Sequence, residues 1–437
     1  MSGPARASTF AYRRLEIDPG ARTVTCHYSL DDEPFVEVAT FDEAVDLAAP
    51  GVEAVAVPYL LLAGLSYYKA GAARVVALGA LEVGGPTRAL LTDAIVHGLA
   101  EFAHRNALDL TDVAIVGGGP TVRVPVPTPT AGPLVPFGGG IDSIVTASAA
   151  RRQRGAALFV VSPGAGPLEA IERSARALGL PVVRCGRTLD PGLRRAGTTR
   201  FDGHVPVTAI VSSLALIAAV ATGHDAVAMS NERSASSPTL VVDGQPVNHQ
   251  WSKSLACEDR LRAALDERLE PSPAYASALR DRSELWVAAE FARHDELLDT
   301  FMSCNRAFRQ DPSTRAPTWC GECDKCLFTD LVLSPFVTRE RLEGVFGGRE
   351  PLGDPARVPD LEVLCGVVDH PRPFECVGDA DECATALVAA ASRPDRAGQP
   401  HLAALASRCP GAKPLDELLA VGGPTHSSLL DAARDLV

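Results

Sequence analysis

Between residues 13 and 40 apolar and polar side chains alternate in three short runs, RRLEID, RTVTCHYSL and PFVEVAT, separated by PGA and DDE. A period of two puts successive residues on opposite faces of a pleated strand, and turn formers fill the gaps, so the pattern predicts an antiparallel meander. The period then lengthens: YLLLAGLSYYKA and TRALLTDAIVHGLAEFAHRNAL read as helices, with RVVAL between them as a strand. VRVPVPTPTAGP fits neither period, and its prolines and threonines predict an extended linker. From residue 134 strand and helix signals take turns: PLVPF, DSIVTASAARR, ALFVVS, LEAIERSARALG and PVVRC, then the long apolar VTAIVSSLALIAAVATG and DAVAMS. Apolar strands between helices describe a parallel sheet covered on both faces. The expected organisation is α/β: an N-terminal α+β domain over residues 1–121, a linker over 122–133, a parallel-sheet domain over 134–300, and a mostly helical region over 301–437. SRPDRAGQP near the end reads as a mobile loop, and Trp251 and the LALIAAV helix as core.

Composition narrows the class without naming a chemistry. A chain of 437 residues with 46% hydrophobic content has room for two or three globular domains, at about 100–200 residues each. No stretch approaches the roughly 18 apolar residues of a membrane span, and MSGPARASTFAYRRLEID lacks the apolar core and cleavage site of a secretory leader. The expectation is a cytoplasmic protein with no membrane contact. A net charge of −13 without a basic stripe argues against nucleic acid as the main partner. A small anion remains compatible, because local N–H groups and single arginines bind it whatever the net charge. No pattern speaks to oligomeric state.

The stretch VPFGGGIDSIVTAS places Gly138, Gly139 and Gly140 between a short strand and a helix. Without Cβ atoms this turn can take positive φ and approach a ligand closely, while the unpaired N–H groups of the helix point at it. The arrangement suits a phosphate, although a tight turn would also serve strand-to-helix packing alone. It is neither G-x-x-x-x-G-K-[ST], since no lysine follows, nor G-x-G-x-x-G, since Ser143 stands at the third glycine.

Eleven cysteines in a chain without a secretory leader point to thiols and metal rather than disulfides. Cys26, Cys185, Cys257, Cys365, Cys376, Cys383 and Cys409 are scattered and read as small buried apolar residues. Cys320, Cys323 and Cys326 form C-x-x-C-x-x-C, with Cys304 upstream. Two residues between ligands let a tight turn bring both sulfurs to one ion, and four thiolates fill the tetrahedron of a structural zinc. An iron–sulfur cluster would use similar ligands. Either would pin the loop carrying Asn305 and Arg306 against a helix starting near Asp324.

Gly138-Gly139-Gly140-Ile141-Asp142-Ser143 resembles the PP-loop of the N-type ATP pyrophosphatases, S-G-G-x-D-S, with Gly138 in place of the first serine. The resemblance implies ATP held at Gly138, Gly139, Gly140, Asp142 and Ser143 and cleaved between its α and β phosphates. A PP-loop domain followed by a four-cysteine knuckle is similar to the deazaguanine nitrile synthases over roughly half the chain. A fuller likeness comes from SNERSAS, VNHQWSK, SCNRAF, WCGECDKC and HPRPFECVG, with LSYYKA and HGLAEFAHRN in the first domain. Together these resemble the UDP-N-acetylmuramoyl-L-alanyl-L-glutamate epimerases of peptidoglycan synthesis over nearly the full length. That likeness implies conversion of the terminal L-glutamate of UDP-N-acetylmuramoyl-L-alanyl-L-glutamate to D-glutamate with ATP and Mg2+, releasing AMP and pyrophosphate.

Candidate groups for that chemistry lie where strands of the second domain should end. Arg233, after DAVAMS, suits a phosphate or carboxylate as a planar fork. His249 and Lys253 in VNHQWSK suit a base and acid, and His204 is a third candidate. Each of these is equally compatible with a structural hydrogen bond or a solvated surface position. Two other functions stay open on the residues alone: another PP-loop adenylating enzyme, such as a nitrile synthase or amide ligase, and a non-catalytic nucleotide-binding module.

Overall fold

The alternating N-terminal runs are three antiparallel strands, β1 (Thr9–Asp18), β2 (Thr23–Leu30) and β3 (Glu33–Phe41). The computed structural model describes residues 4–164, 166–194, 200–309, 311–409 and 411–427. Helix α1 (Val52–Tyr68) is buried on almost every side, as its lack of a polar face requires. It begins well before YLLLAGLSYYKA and carries Pro58 inside it. Strand β4 (Val75–Ala77) follows. The single helix expected next is two, α2 (Gly85–Val96) and α3 (Ala100–Arg105). At Gly98, between them, a Cβ would come within 2.5 Å of the Ala94 carbonyl and 2.9 Å of Trp251, so only glycine allows this close turn. The break re-aims the chain and lets Glu101 of α3 reach inward.

Strand β5 (Ala114–Val116) closes one edge, and β6 (Val124–Pro125) lies within the Pro/Thr-rich segment. The expected alternation then appears as β7 (Leu134–Pro136), α4 (Ile141–Ala150), β8 (Ala157–Pro163), α5 (Glu169–Leu178), β9 (Val182–Thr188), α6 (Val207–Thr222) and β10 (Ala226–Met229). A small hairpin of β11 (Leu240–Val242) and β12 (Gln245–Val247) precedes α7 (Leu255–Arg268), β13 (Leu269–Glu270) and β14 (Ala274–Ser277). Helices α8 (Glu284–Phe291) and α9 (Asp324–Leu333) open the helical C-terminal region. Among the described residues no helix is long and apolar enough to cross a membrane.

Ten strands form one mixed sheet in the order β14-β10-β7-β8-β9-β3-β2-β1-β4-β5. The five from β14 to β9 are parallel, and the meander joins them by an antiparallel pairing of β3 with β9, Val38 opposite Thr188 and Phe41 opposite Cys185. A buried ion pair locks that seam. Arg187 Nε and Nη2 donate to the two Glu37 carboxylate oxygens at 2.7 and 3.0 Å, and the Tyr59 hydroxyl of α1 donates to the same carboxylate at 2.8 Å. Pairing plus extra hydrogen bonds is the condition under which a buried charge is tolerated.

Both faces of the parallel strands are covered. Leu134, Phe159 and Val227 point into a core with α1 and α6, while their neighbours Val135, Leu158, Val160 and Ala228 point into a second core with α4, α8 and α9. The segment SRPDRAGQP, expected to be mobile, is tied down instead. Its Arg396 is buried and hydrogen-bonds Glu350, Gln399 and Ser334. A guanidinium with three buried partners cannot swing free without stranding them.

Candidate active site

Strand order reverses between β7 and β10: the chain leaves β7 towards β8 and returns through α6 to lay β10 on the other side. Loops diverge beyond such a switch point and leave a crevice at the carboxyl ends of the strands. A cavity of about 500 Å³ lies there, lined by the glycine turn after β7 and by Met229–Asn231 after β10. Gly140 caps α4 in an extended conformation, and Gly139 has φ +76°. A Cβ on Gly139 would stand 3.2 Å from the Ala170 carbonyl, and one on Gly140 would stand 2.9 Å from Ser303 Oγ. A Cβ on Gly138 would meet nothing, so this glycine faces open space within the cavity wall. Ser143 lines the cavity too, and its hydroxyl donates back to the Gly140 carbonyl at 3.0 Å.

Acidic and basic side chains meet at this crevice. Asp142 lines it, with Lys253 and Lys325. Burial, and then the charge of Glu232, raises the Asp142 carboxyl to about 6 against the pull of Lys325 and Lys253. Burial, followed by Glu232 and Asp142, pushes Glu284 well above the usual carboxylate range. Asp142 Oδ1 and Glu232 Oε2 are buried without a hydrogen-bond partner. Burial alone would lower Lys253, but Cys376, Glu232 and Asp142 around it raise it instead. Lys253 is therefore an ammonium ion at neutral pH.

His249 and His204 come together, their rings 4.3 Å apart at the centroids. His249 Nδ1–H donates to Glu101 Oε2 at 2.5 Å, and His204 Nδ1 lies 3.9 Å from the same oxygen. Glu101 also pairs with Arg105 at 2.7 Å. Burial alone would lower His249, yet its hydrogen bonds to Cys376 and Glu101 raise it to about 9. Burial and the neighbouring His249 lower His204 to about 4, so the pair divides into one imidazolium and one neutral ring. Neither ring is part of the cavity lining, but Cys376, whose thiol influences His249, is. Arg233 is directed elsewhere: its Nη1 donates to the Gly422 carbonyl at 3.3 Å.

The four grouped cysteines converge. Cys320 and Cys326 sulfurs lie 3.7 Å apart, those of Cys323 and Cys326 3.4 Å, and all four fall within 4.8 Å of one another. Zinc–sulfur bonds of about 2.3 Å give a tetrahedron with edges of about 3.8 Å, so the donor set fits one zinc ion. The turn is local: Gly321 has φ +71°, the Glu322 N–H donates to the Cys320 sulfur, and Cys323 caps α9. Ser303 and Asn305, on either side of Cys304, and Lys325, next to Cys326, all line the cavity. The knuckle thus holds one wall of the crevice in place. Cys323→Ser is expected to lose the metal and to lower the thermal midpoint by more than about 5 °C. Elemental analysis together with calorimetry checks this, and iron in place of zinc or an unchanged midpoint would refute it.

Residues 1–278 match the family described as MurL N-terminal domain, and residues 300–418 match the MurL C-terminal domain. Three curated relatives carry the name UDP-N-acetyl-alpha-D-muramoyl-L-alanyl-L-glutamate epimerase. The one from Salinispora tropica is 42% identical over 334 residues, covering 75% of this chain and 71% of its own. The one from Micromonospora sp. is 37% identical over 441 residues, 96% of each chain. The one from Xanthomonas oryzae pv. oryzae is 35% identical over 404 residues, 88% of this chain and 86% of its own. No solved structure matches the chain significantly.

Proposed function

The chain belongs to the MurL family, whose curated relatives are named as epimerases of a UDP-muramoyl dipeptide, and on that premise we propose that it inverts the terminal glutamate of UDP-N-acetylmuramoyl-L-alanyl-L-glutamate at the expense of ATP. The observation that carries the reading is the shared crevice: Gly138, Gly140 and the start of α4, joined through a left-handed Gly139, line the same cavity as Asp142, Lys253 and Lys325. Phosphate groups of ATP fit the glycine turn, whose N–H groups and helix end favour anions. This is the PP-loop reading of the fold, with residues 1–121, 134–300 and 301–437 as its three units and 122–133 as the link. Asp142 and Glu232 fit Mg2+, since each offers a carboxylate oxygen that no protein donor satisfies. When bound, the ion would neutralise phosphate charge. The reading further places the enzyme in the cytoplasm, where the nucleotide-linked precursor is made.

The chemistry explains why an isomerase would consume ATP. The glutamate nitrogen is already an amide, so it cannot form a Schiff base. Removing the α-proton beside a free carboxylate would pile a second negative charge next to the first. Adenylation of that carboxylate removes the charge and makes the carbon more acidic, after which a base on one face and a donor on the other complete inversion. Lys253 stands on the cavity wall as an ammonium donor, and the His249–Glu101 pair acts one side chain behind it, with His204 beside them. Water then hydrolyses the acyl-adenylate.

Incubation with ATP, Mg2+ and the L-alanyl-L-glutamate nucleotide is expected to yield D-glutamate on acid hydrolysis, with AMP and pyrophosphate released. An ammonia-dependent product instead would mark a nitrile synthase or amide ligase, and stoichiometric ATP binding without turnover would mark a nucleotide-binding module.

A further inference from the structure

Five of the seven scattered cysteines, Cys26, Cys185, Cys257, Cys365 and Cys383, behave as apolar packing. Burial pushes the Cys26 and Cys257 thiols well above their usual range. Cys376 goes the other way: burial would raise it, but Lys253, the hydrogen bond from His249 and Lys325 bring it down to about 7. Its position explains the difference. Cys376 lines the cavity together with Asp142, Lys253 and Lys325, and the hydrogen-bonded Glu101–His249 pair stands close enough behind it to shift its thiol. The backbone around it is fixed by its neighbours: Lys325 donates to the Cys376 carbonyl, Gln250 Nε2 to the Val377 carbonyl at 3.2 Å, and Arg372 Nη1 to the Gly378 carbonyl at 2.5 Å. The unpartnered oxygen of Asp142, on the same cavity wall, calls for a ligand there.

Taking the epimerase reading as given, we infer that Cys376 is a proton-transfer group of the reaction, acting as a thiolate on one face of the glutamate α-carbon while Lys253 serves the other. Glu101 and His249 are positioning residues that act through Cys376: the carboxylate orients the imidazolium, and the imidazolium holds the sulfur anionic. In the forward direction the thiolate takes the α-proton, so an S–H bond forms as the C–H bond breaks and its electron pair moves into the acyl carbonyl as an enolate. The Lys253 ammonium gives a proton to the opposite face, and the enolate pair forms the new C–H bond. The thiol then passes its proton to the neutral lysine amine, restoring thiolate and ammonium for the next turnover. No oxidant or further reactant is needed. This arrangement also gives His249 a role that its place outside the cavity lining would otherwise deny it.

The test compares wild-type enzyme with Cys376→Ala, Cys376→Ser and His249→Asn in deuterated water with ATP, Mg2+ and the L-dipeptide nucleotide. α-Deuterium uptake is read by mass spectrometry and pyrophosphate release by a coupled assay. Both Cys376 variants are expected to lose deuterium uptake by at least about 10²-fold, the scale of a lost general base, while pyrophosphate release falls by less than about tenfold. Retained pyrophosphate release also shows that the variants fold. Iodoacetamide mapping at pH 7.5 gives a second readout independent of turnover: Cys376 is expected to be labelled first among the cysteines, and more slowly in His249→Asn. Deuterium uptake in Cys376→Ala within about threefold of an active wild type would overturn the assignment alone. A wild type that neither releases pyrophosphate nor exchanges the proton would instead overturn the epimerase reading on which it rests.

Discussion

Gly139→Val is expected to cut ATP-dependent pyrophosphate release by about 10²- to 10³-fold, the scale on which preorganised backbone donors are lost. Gly139 has φ +76°, a conformation that costs an ordinary residue about 1–2 kcal/mol and a β-branched one more. Its added Cβ would also sit 3.2 Å from the Ala170 carbonyl and 3.3 Å from Ile171 Cα, both backbone atoms that cannot simply rotate away. The turn must therefore move, and the Met302 N–H bonded to the Gly139 carbonyl at 2.9 Å would carry the Ser303–Asn305 wall with it. Gly179→Val separates strain from function. Gly179 has φ +69° at the end of α5 with nothing within 4 Å of an added Cβ. It should lose similar backbone stability but keep turnover. Normal turnover and ATP affinity in Gly139→Val would remove the glycine turn from the active site.

How much of this was legible in the sequence follows from how local each signal is. The meander declared itself by strict alternation, and the strand–turn–helix at Gly138–Gly140 by three adjacent residues. The cysteine knuckle needed only a short window. The break at Gly98 was missed because apolar periodicity continues through it, and only the packing of Trp251 from far along the chain requires a turn there. The pairing of β3 with β9 was equally hidden, since strand edges carry no address in sequence; Glu37 and Arg187 are complementary only once 150 residues of chain bring them together. Cys376 is the strongest case. Its neighbours in sequence gave no reason to separate it from the packing cysteines, whereas Glu101, His249, Lys253 and Lys325, all remote in the chain, change its chemistry. HPRPFECVG was visible as part of the family likeness without its sulfur being singled out. Arg233 shows the opposite case: its place after β10 is legible in sequence, whereas the turn of its side chain to the Gly422 carbonyl is not.

Exchange of the glutamate α-proton with deuterated water should require hydrolysable ATP, falling to background without it. An enolate formed beside an intact carboxylate would bring two negative charges onto adjacent atoms, and the crevice wall already carries Asp142 with the charge of Glu232 near it. That negative charge makes the site a poor host for a dianion, even with Lys253 and Lys325 on its wall. Converting the substrate carboxylate to an acyl-adenylate leaves one developing oxyanion, which two ammonium groups and fixed N–H donors can stabilise without rearranging. On the proposed reading, the chemistry runs in the order adenylation, proton transfer, hydrolysis. A nonhydrolysable ATP analogue cleaved at neither phosphate should bind at the glycine turn yet give no deuterium uptake, and adding pyrophosphate to the working enzyme should slow uptake by reversing adenylation. Full-rate exchange with the analogue, or with no nucleotide at all, would show that the free carboxylate is acidic enough in this site and would break the link between ATP and inversion.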